Sequence, residues 1–313
     1  MFHRLFRQGS LFAAVGRYNG FMDNALADKF HALRNLERPL LDKIETCQAI
    51  LRAQTRVVVA FSGGVDSTFL LALAVETLGA KNVLAVTNTS AIHPRADTLQ
   101  ARTLAEDLGV EMVEVMGQEL ENHVFRDNPP ERCYHCKLEI FTSLKRLAEL
   151  RGYNAVLSGT NADDSSDYRP GAKAEDELGI VRPLKDAGLV KMEIRAASRA
   201  MGLPTADMPS MACLASRIPY GQPITAQKLA RIEHAETLLT ELGVRQHRVR
   251  DHEILARIEV LPIDMELVLR HRQRIVDELK GLGYTYITLD LQGFRSGSMN
   301  ETLPGLGGQK TSK

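Results

Sequence analysis

Short apolar runs alternate with longer segments of helical periodicity along the first two-thirds of the chain. Apolar residues near helical spacing predict a helix over residues 40–53, and the β-branched run 56–61 is typical of a strand buried in a parallel sheet. After a glycine-rich turn and a long apolar helix, strands are predicted at 82–86, 111–115 and 155–157, with helices at 95–108 and 138–151. This alternation predicts an α/β fold with a doubly wound parallel sheet.

The pattern changes in the second half. Residues 160–180 are rich in Asp, Gly and Pro and predict a long loop, which in a compact domain is usually functional. A second, smaller α/β module is predicted from helices at 226–242 and 265–279 and strands at 245–249, 255–260 and 284–289. We therefore expect four parts: an N-terminal extension (1–39), a first domain (40–205), a second domain (206–302) and a disordered tail (303–313).

Composition and charge argue against several classes of protein. The chain has 313 residues, 39 basic and 39 acidic residues, 5% aromatic residues and no Trp. A nucleic-acid-binding surface usually needs a basic excess and stacking aromatics, so we expect no nucleic-acid partner. No apolar run is long enough for a membrane helix, and four cysteines in so long a chain do not form a secreted disulfide scaffold. We expect a cytoplasmic protein with no membrane partner.

A candidate phosphate loop lies between a predicted strand and a predicted helix. It consists of Ser62, Gly63, Gly64, Val65, Asp66 and Ser67. The glycines let the backbone turn its N–H groups toward an anion, and the N-terminus of the helix adds positive potential. The loop is neither a Walker loop nor a dinucleotide fingerprint. A capped strand-to-helix turn is the alternative.

A second polar cluster follows another predicted strand. It includes Gly159, Asp163 and Asp164, and it should lie at the same carboxyl edge of the sheet as the phosphate loop. Adjacent carboxylates can hold Mg²⁺ that bridges nucleotide phosphates, although a solvated acidic turn has the same composition. Arg169 and Arg182 flank the loop and are candidates to neutralise a phosphate or an anionic substrate.

The cysteines offer a metal site. Cys133 and Cys136 have C-x-x-C spacing, Cys213 stands alone, and Cys47 is interpreted as a small buried hydrophobe. With His135 as a candidate fourth ligand, the three thiolates can hold zinc. Without a fourth ligand they can hold a 4Fe–4S cluster whose remaining iron is open to sulfide. The residues alone leave both metals open, and a redox pair as well.

The motifs together resemble a known family. S-G-G-V-D-S and G-T-N-A-D-D are similar to the phosphate-binding elements of ATP pyrophosphatases, which split ATP into AMP and pyrophosphate. The order of motifs between about Leu40 and Glu301 resembles the LarE family of ATP-dependent sulfur transferases. The further motifs are R-C-Y-H-C-K, D-Y-R-P-G, C-L-A-S-R-I-P-Y-G, R-V-R-D-H, A-R-I-E-V and L-D-L-Q-G-F-R-S-G-S-M-N.

The resemblance implies a reaction in two halves. ATP adenylylates a carboxylate of a biscarboxylated pyridinium mononucleotide and releases pyrophosphate. A sulfur nucleophile then displaces AMP and leaves a thiocarboxylate, in the synthesis of the nickel-pincer nucleotide of lactate racemase. ATP and Mg²⁺ would be held by the loop residues Ser62, Gly63, Gly64, Asp66 and Ser67, together with Gly159, Asp163 and Asp164.

Members of this family differ in their sulfur source. Some sacrifice the cysteine of C-L-A-S-R, and others use three thiols to bind a 4Fe–4S cluster that relays sulfide. Because Cys133, Cys136 and Cys213 are all present, the resemblance implies the cluster type, with these three as catalytic residues and an unidentified sulfide donor. Sacrifice of Cys213 is the alternative. The family also suggests a symmetric homo-oligomer.

Charged residues in the second module are candidates to bind the substrate. Arg248 and Arg250 alternate on a predicted strand and so share a face, where together with Arg217 they can clamp anionic groups. Solvated surface arginines are the alternative. Glu236 matches a family acid near the substrate site that has been linked to metal binding, and its alternative is a solvated helix acid.

Three other functions fit parts of the sequence. Thiolation of tRNA also combines an ATP pyrophosphatase fold with three cysteines, but it needs a tRNA surface that zero net charge disfavours. An amide-forming ligase of the NAD- or GMP-synthetase type needs an ammonia source, and no glutaminase domain is recognisable. A nucleotide sensor explains the phosphate loop but gives no role to the three thiols.

Overall fold

The first sheet has four parallel strands. In the computed structural model, which describes residues 32–165 and 170–303, the strands are β1 (Val57–Ala60), β2 (Val83–Thr89), β3 (Glu111–Met116) and β4 (Ala155–Leu157). Their spatial order is β3-β2-β1-β4. The direction of strand succession therefore reverses between β1 and β4, and ligands bind at such a switch point in doubly wound folds. The predicted fold class is confirmed.

Helices cover both faces of this sheet. The described helices are α1 (Arg38–Gln54), α2 (Val65–Leu78), α3 (Arg95–Asp107), α4 (His123–Arg126), α5 (Arg132–Arg151), α6 (Gly171–Glu177), α7 (Pro183–Asp186), α8 (Lys191–Ala200), α9 (Ala226–Glu241), α10 (Met265–Arg270) and α11 (Arg272–Gly281). Val57 and Val59 of β1 pack into a core with α1, α2, α3 and α8, whereas Val58 packs against α5 on the opposite face. Alternate residues of a strand thus serve two cores.

The second sheet is smaller and mixed. It consists of β5 (His247–His252), β6 (Leu255–Val260) and β7 (Tyr286–Leu289), with β5 antiparallel and β7 parallel to the central β6. Its apolar core contains Val249, Ile258, Ile275 and Tyr284, and is separate from the cores of the first sheet. A division into domains at residues 205 and 206 remains a prediction.

An apolar seam joins the two halves. Ile92 and Phe125 from the first half pack with Ile218, Leu229 and other buried residues of the second half. At the same place the backbone N–H of Leu214 donates to the carbonyl of Ile92 at 2.7 Å. The seam lies next to the wall of the site described below.

The cysteine segment is helical, although the sequence predicts a helix only from residue 138. Asn128 has a left-handed backbone (φ 57°) and turns the chain into Pro129 and Pro130, after which α5 begins at Arg132. Arg132 is buried and donates from Nη1 to Oδ1 of Asn128. Cys133 and Cys136 therefore lie about one helical turn apart on one face.

Three smaller predictions also differ from the structure. The segment 160–180 is not one long loop, because it contains a 3₁₀ helix at Ala162–Ser165 and then α6. The helix predicted over 265–279 is divided at His271 into α10 and α11, and β7 begins at Tyr286 rather than at residue 284. Local helix and strand periodicity does not reveal such interruptions.

Some predictions fall outside the described residues. These are most of the N-terminal extension (1–31), Arg169, and the tail from residue 304. The described end of the extension is packed, because Leu33 belongs to the first core. Within the described ranges, no helix combines the length and apolar character needed to cross a bilayer.

Substitution of Leu71 tests the packing of the first core. Leu71 is fully buried in α2, so Leu71→Ala should lower the free energy of unfolding by about 3 kcal/mol. The control is Leu150→Ala in α5, where the side chain is 79% exposed and the change should be within about 0.5 kcal/mol. Urea unfolding followed by circular dichroism measures both variants, and similar values for the two would contradict this packing.

Candidate active site at the carboxyl edge of the parallel sheet

The phosphate loop adopts the conformation that its glycines allow. Gly63 has φ +74°, and a Cβ added there would lie 3.3 Å from the Cα of Ala101. Gly64 precedes the first turn of α2, and the hydroxyls of Ser62 and Ser67 lie 3.1 Å apart. The loop therefore presents backbone and hydroxyl groups at the end of β1 and at the N-terminus of a buried helix, as a phosphate site requires.

Asp66 has one carboxylate oxygen without a partner. Its Oδ2 accepts from Nζ of Lys191 at 2.7 Å and from Nδ2 of Asn161 at 3.4 Å. Its Oδ1 is buried and accepts no hydrogen bond from the described residues. An unsatisfied carboxylate oxygen beside a phosphate loop is the donor that Mg²⁺ prefers.

The loop after β4 touches the phosphate loop directly. A Cβ added at Gly159 would lie 3.0 Å from the backbone N of Ser67, so only glycine permits this approach. Asp163 accepts from the backbone N–H of Lys191 at 2.8 Å, and Asp164 accepts from that of Asn161 at 3.1 Å. Both carboxylates stabilise turns here, and their role in holding ATP and Mg²⁺ stays a prediction.

A cavity of about 260 Å³ opens beside the phosphate loop. Its wall is formed by the ends of β1 and β2, by α5, by the start of α3 and by the segment that contains Cys213. The lining residues include Ser62, Asn88, His93, Asp97, Lys137, Phe141 and Cys213. The volume and the mostly apolar wall suit a nucleotide base or another flat ring.

The three candidate cysteines lie near one another, and Cys213 lines this cavity. Cys136 and Cys213 pack against the same apolar seam, and Cys133 is exposed but close enough to act on the charge of Cys136. Burial raises the pKa of the Cys136 thiol, and nearby Cys213, Glu119 and Cys133 raise it further. Among the described residues, no three His, Cys, Asp or Glu side chains are grouped closely enough to hold a single metal ion.

Cys47 lies apart from these thiols, as the sequence predicts. It is fully buried in the first core, and burial raises its pKa to about 12. Such a thiol remains protonated and inert.

Lys137 links the cysteine helix to the loop after β4. Its Nζ lies 2.7 Å from Oε1 of Glu175, which is completely buried and also accepts from the hydroxyl of Thr160 at 3.0 Å. A Cβ at Gly171 would lie 2.5 Å from Cδ of Lys137, so this glycine makes room for the lysine.

Two of the three candidate arginines are paired with buried carboxylates. Arg217 donates to Glu236 at 2.9 and 2.7 Å, and Arg250 donates to Glu259 at 2.7 Å. Burial opposes the charge of Glu236, but pairing with Arg217 outweighs it, so that the pKa of Glu236 is lowered. Arg217 also holds the carbonyl of Cys213 at 2.9 Å and thereby fixes the backbone of that cysteine.

Arg248 differs from the other two arginines. It donates to the backbone carbonyls of His247 and Ser210, and no described carboxylate pairs with it within 4 Å. Burial and then repulsion from Arg217 lower its pKa to about 10. An anionic ligand would relieve this unfavourable charge, so Arg248 is the arginine best suited to bind a substrate phosphate or carboxylate.

Two residues that line the cavity and one that lies behind its wall were not identified by sequence reasoning. Asp97 and His93 line it from the start of α3 and the turn before it, and Glu175 supports Lys137 from behind. Burial lowers the pKa of His93, so that its ring is neutral at neutral pH. The only local signal for Asp97 is an acid in the first turn of a helix, which ordinary capping also explains.

Known proteins resemble this chain over most of its length. A family model described as NAD synthase matches residues 33–128, the part that contains the phosphate loop. An uncharacterised protein of Synechocystis sp. is 38% identical over 266 residues, which cover 84% of this chain and 99% of that protein. The pyridinium-3,5-bisthiocarboxylic acid mononucleotide synthase of Lactiplantibacillus plantarum is 38% identical over 264 residues, 84% of this chain and 96% of its own. An uncharacterised protein of Methanocaldococcus jannaschii is 27% identical over 249 residues, 77% of this chain and 91% of its own.

The parallel sheet and the S-G-G-V-D-S loop define an ATP pyrophosphatase, or PP-loop, enzyme. Because the 38% identity to the L. plantarum synthase extends over 84% of this chain and 96% of that protein, the chain belongs to the LarE family and is an ATP-dependent sulfurtransferase. The family predicted from the motifs is confirmed. The match to NAD synthase ends before the cysteine motifs and reflects the shared phosphate-binding half.

Asp97 provides a test of the electrostatics of the cavity. Burial raises its pKa from 3.8 to about 6, with Arg217 and Arg248 lowering it and Glu233 and Glu236 raising it. The folded state therefore holds this proton more tightly than the unfolded state does. The ionised group lowers stability above about pH 6, and this effect fades as the pH falls through about 4 and is gone at about pH 3.

Asp97→Asn should consequently increase the free energy of unfolding by about 1 kcal/mol near pH 7.5, after allowance for its partial exposure. At about pH 3 the variant should match the wild type, because the aspartate is then largely protonated in both states. Urea unfolding at the two pH values measures this effect. Asp107→Asn, which changes an exposed aspartate at the end of the same helix, is the control and should show no such pH-dependent gain. A variant no more stable than the wild type at the higher pH would mean that Asp97 is well solvated.

Proposed function

We propose that the protein converts a carboxylate of a biscarboxylated pyridinium mononucleotide into a thiocarboxylate, by adenylylation with ATP and then sulfur transfer, in nickel-pincer nucleotide synthesis. The observation that carries this proposal is that Ser62 of the phosphate loop and Cys213 line the same cavity. Sulfur can attack an acyl adenylate only if both are held in one site. The name of the L. plantarum relative supports this substrate class.

In the first half, a substrate carboxylate oxygen attacks the α-phosphorus of ATP. A new O–P bond forms while the bond to pyrophosphate breaks, and pyrophosphate leaves. The N–H groups of the loop 62–67 would hold the departing pyrophosphate, and Oδ1 of Asp66 would bind the accompanying Mg²⁺. Lys191 would remain paired to the other oxygen of Asp66 and keep it in place.

In the second half, a sulfur nucleophile attacks the acyl carbon. The C–S bond forms, the C–O bond to AMP breaks, and AMP carries away the negative charge of the leaving group. Cys213 lies in the cavity where this step would occur, and Arg217 fixes its backbone carbonyl. Arg248 would bind an anionic group of the substrate, and Arg217 and Arg250 would support this binding from their buried ion pairs.

The three thiols fit a 4Fe–4S cluster in type and number. Each cysteine of such a cluster binds a different iron, so the sulfur atoms need not approach as closely as around one metal ion. When bound, the cluster would supply a renewable sulfide at the iron that no cysteine holds. Cys133, Cys136 and Cys213 would be its ligands, and repeated turnover would need an external sulfide donor.

A second mechanism is favoured by one detail of the cavity. Cys213 is among the lining residues, whereas Cys133 and Cys136 are not. In this mechanism, Cys213 attacks the acyl adenylate and forms a thioester with loss of AMP. The Cα proton then leaves as the Cβ–S bond breaks, so that the product keeps the sulfur and residue 213 becomes dehydroalanine.

Metal analysis distinguishes the two mechanisms. Protein purified without oxygen should contain about four iron and four labile sulfide per chain, with a visible absorption band, and Cys133→Ala should lose them. Cys47→Ala is the matched control, because it removes a buried thiol outside the site and should keep the iron. Colourless wild-type protein that stays iron-free after reconstitution would exclude the cluster. Loss of H₂S from its mass after one turnover would then identify Cys213 as the donor.

Asp66→Asn tests the ATP site. Loss of the carboxylate should lower pyrophosphate release about a hundredfold or more, because Mg²⁺ loses a ligand and Lys191 loses its partner. The iron content should not change, since Asp66 lies on the phosphate loop and not among the thiols. Asp107→Asn is again a suitable control. Pyrophosphate release at the wild-type rate would remove Asp66 from the proposed mechanism.

A further inference from the structure

The cavity contains a carboxylate that the proposed reaction does not use. Asp97 lies in the first turn of α3 and lines the cavity together with Ser62 and Cys213. Much of the remaining wall is apolar, for example Val86 and Ile140. A carboxylate in such surroundings is unfavourable unless a donor or a cation faces it.

The described protein groups leave this carboxylate unsatisfied. None of them donates a hydrogen bond to the Asp97 side chain or pairs with it within 4 Å. The other polar cavity groups do not compensate its charge, because His93 is neutral and Lys137 is paired with Glu175. A ligand in the cavity is therefore the natural partner of Asp97.

Groups that attract anions lie near Asp97. Ser62 of the phosphate loop lines the same cavity. Arg217 and Arg248 do not line the cavity, but their positive charges act on Asp97. Asp97 is thus a negative group in the neighbourhood of groups that attract negative charge. A biscarboxylated pyridinium mononucleotide has complementary charges, with a carboxylate at one end, a cationic ring in the middle and a phosphate at the other end.

We propose that Asp97 recognises the positive charge of the pyridinium ring and so selects the oxidised ring over an uncharged one. This inference rests on the function proposed above. Asp97 is a binding residue in this account and takes no part in breaking or forming bonds. It orients the ring so that one carboxylate faces the phosphate loop while the phosphate faces Arg248.

Two forms of one ligand test the proposal. Pyridinium-3,5-biscarboxylic acid mononucleotide and its 1,4-dihydropyridine form carry the same carboxylates and phosphate and differ in the charge of the ring. Calorimetry measures the binding of each form to the full-length protein in the presence of a non-hydrolysable ATP analogue. The wild type should bind the pyridinium form about tenfold or more tightly than the dihydropyridine form. Asp97→Asn should bind the two forms almost equally, through weaker binding of the charged form alone.

Glu233→Gln is the matched control. Glu233 is a neighbouring carboxylate outside the cavity lining that accepts from the backbone N–H of Arg95 at 2.8 Å, and the amide oxygen of glutamine can still accept this bond. This variant should keep the preference for the pyridinium form. Binding of the ATP analogue alone should be the same in all three proteins.

The outcomes separate this inference from the proposed function. If the wild type binds neither form and releases no pyrophosphate with the pyridinium form, the proposed substrate is wrong. If the wild type binds and turns over the pyridinium form but shows no preference for it, or if Asp97→Asn keeps the preference, the role of Asp97 is wrong. Equal weakening of ATP and of both ligand forms in Asp97→Asn would assign Asp97 a structural role and overturn the inference as well.

Discussion

The arrangement of the site depends on the hydrogen bonds of Asn128. Its Nδ2 donates to the carbonyls of Pro219 at 2.7 Å and Gln222 at 3.0 Å, while its Oδ1 accepts from Arg132. One fully buried side chain thus ties the start of the cysteine helix to the segment that follows Cys213. Because buried carbonyls without donors are costly, these bonds hold the separate cysteine segments in a single relative position.

Charged residues in this protein serve two purposes. Arg217 and Arg250 form buried ion pairs. Removal of either arginine would leave its partner, Glu236 or Glu259, unpaired in the interior. Arg248 and Asp97 have no such partners among the described side chains, and both are held in surroundings that disfavour their charges. The paired groups stabilise the interior of the second half, and the unpaired groups are available to a ligand.

Local sequence signals predicted the elements that depend on local chemistry. The strand over 255–260 has the predicted bounds, and the phosphate loop lies between a buried strand and helix as its glycines indicate. The start of α5 was not predictable in this way, because it depends on Asn128 and its bonds to carbonyls about ninety residues later in the chain. The position of Asp97 in a cavity was not predictable for the same reason, because segments that are distant in sequence form that cavity.

The apolar seam between the two halves affects the order in which parts of the protein can fold during synthesis. All four strands of the first sheet and the C-x-x-C pair precede Cys213 in the chain, and Cys213 takes its place only when the segment 214–232 packs against Ile92 and Phe125. During synthesis from the N-terminus, the nucleotide-binding half can therefore fold while the sulfur site is still incomplete. The three thiols therefore reach their final arrangement only after both halves have docked.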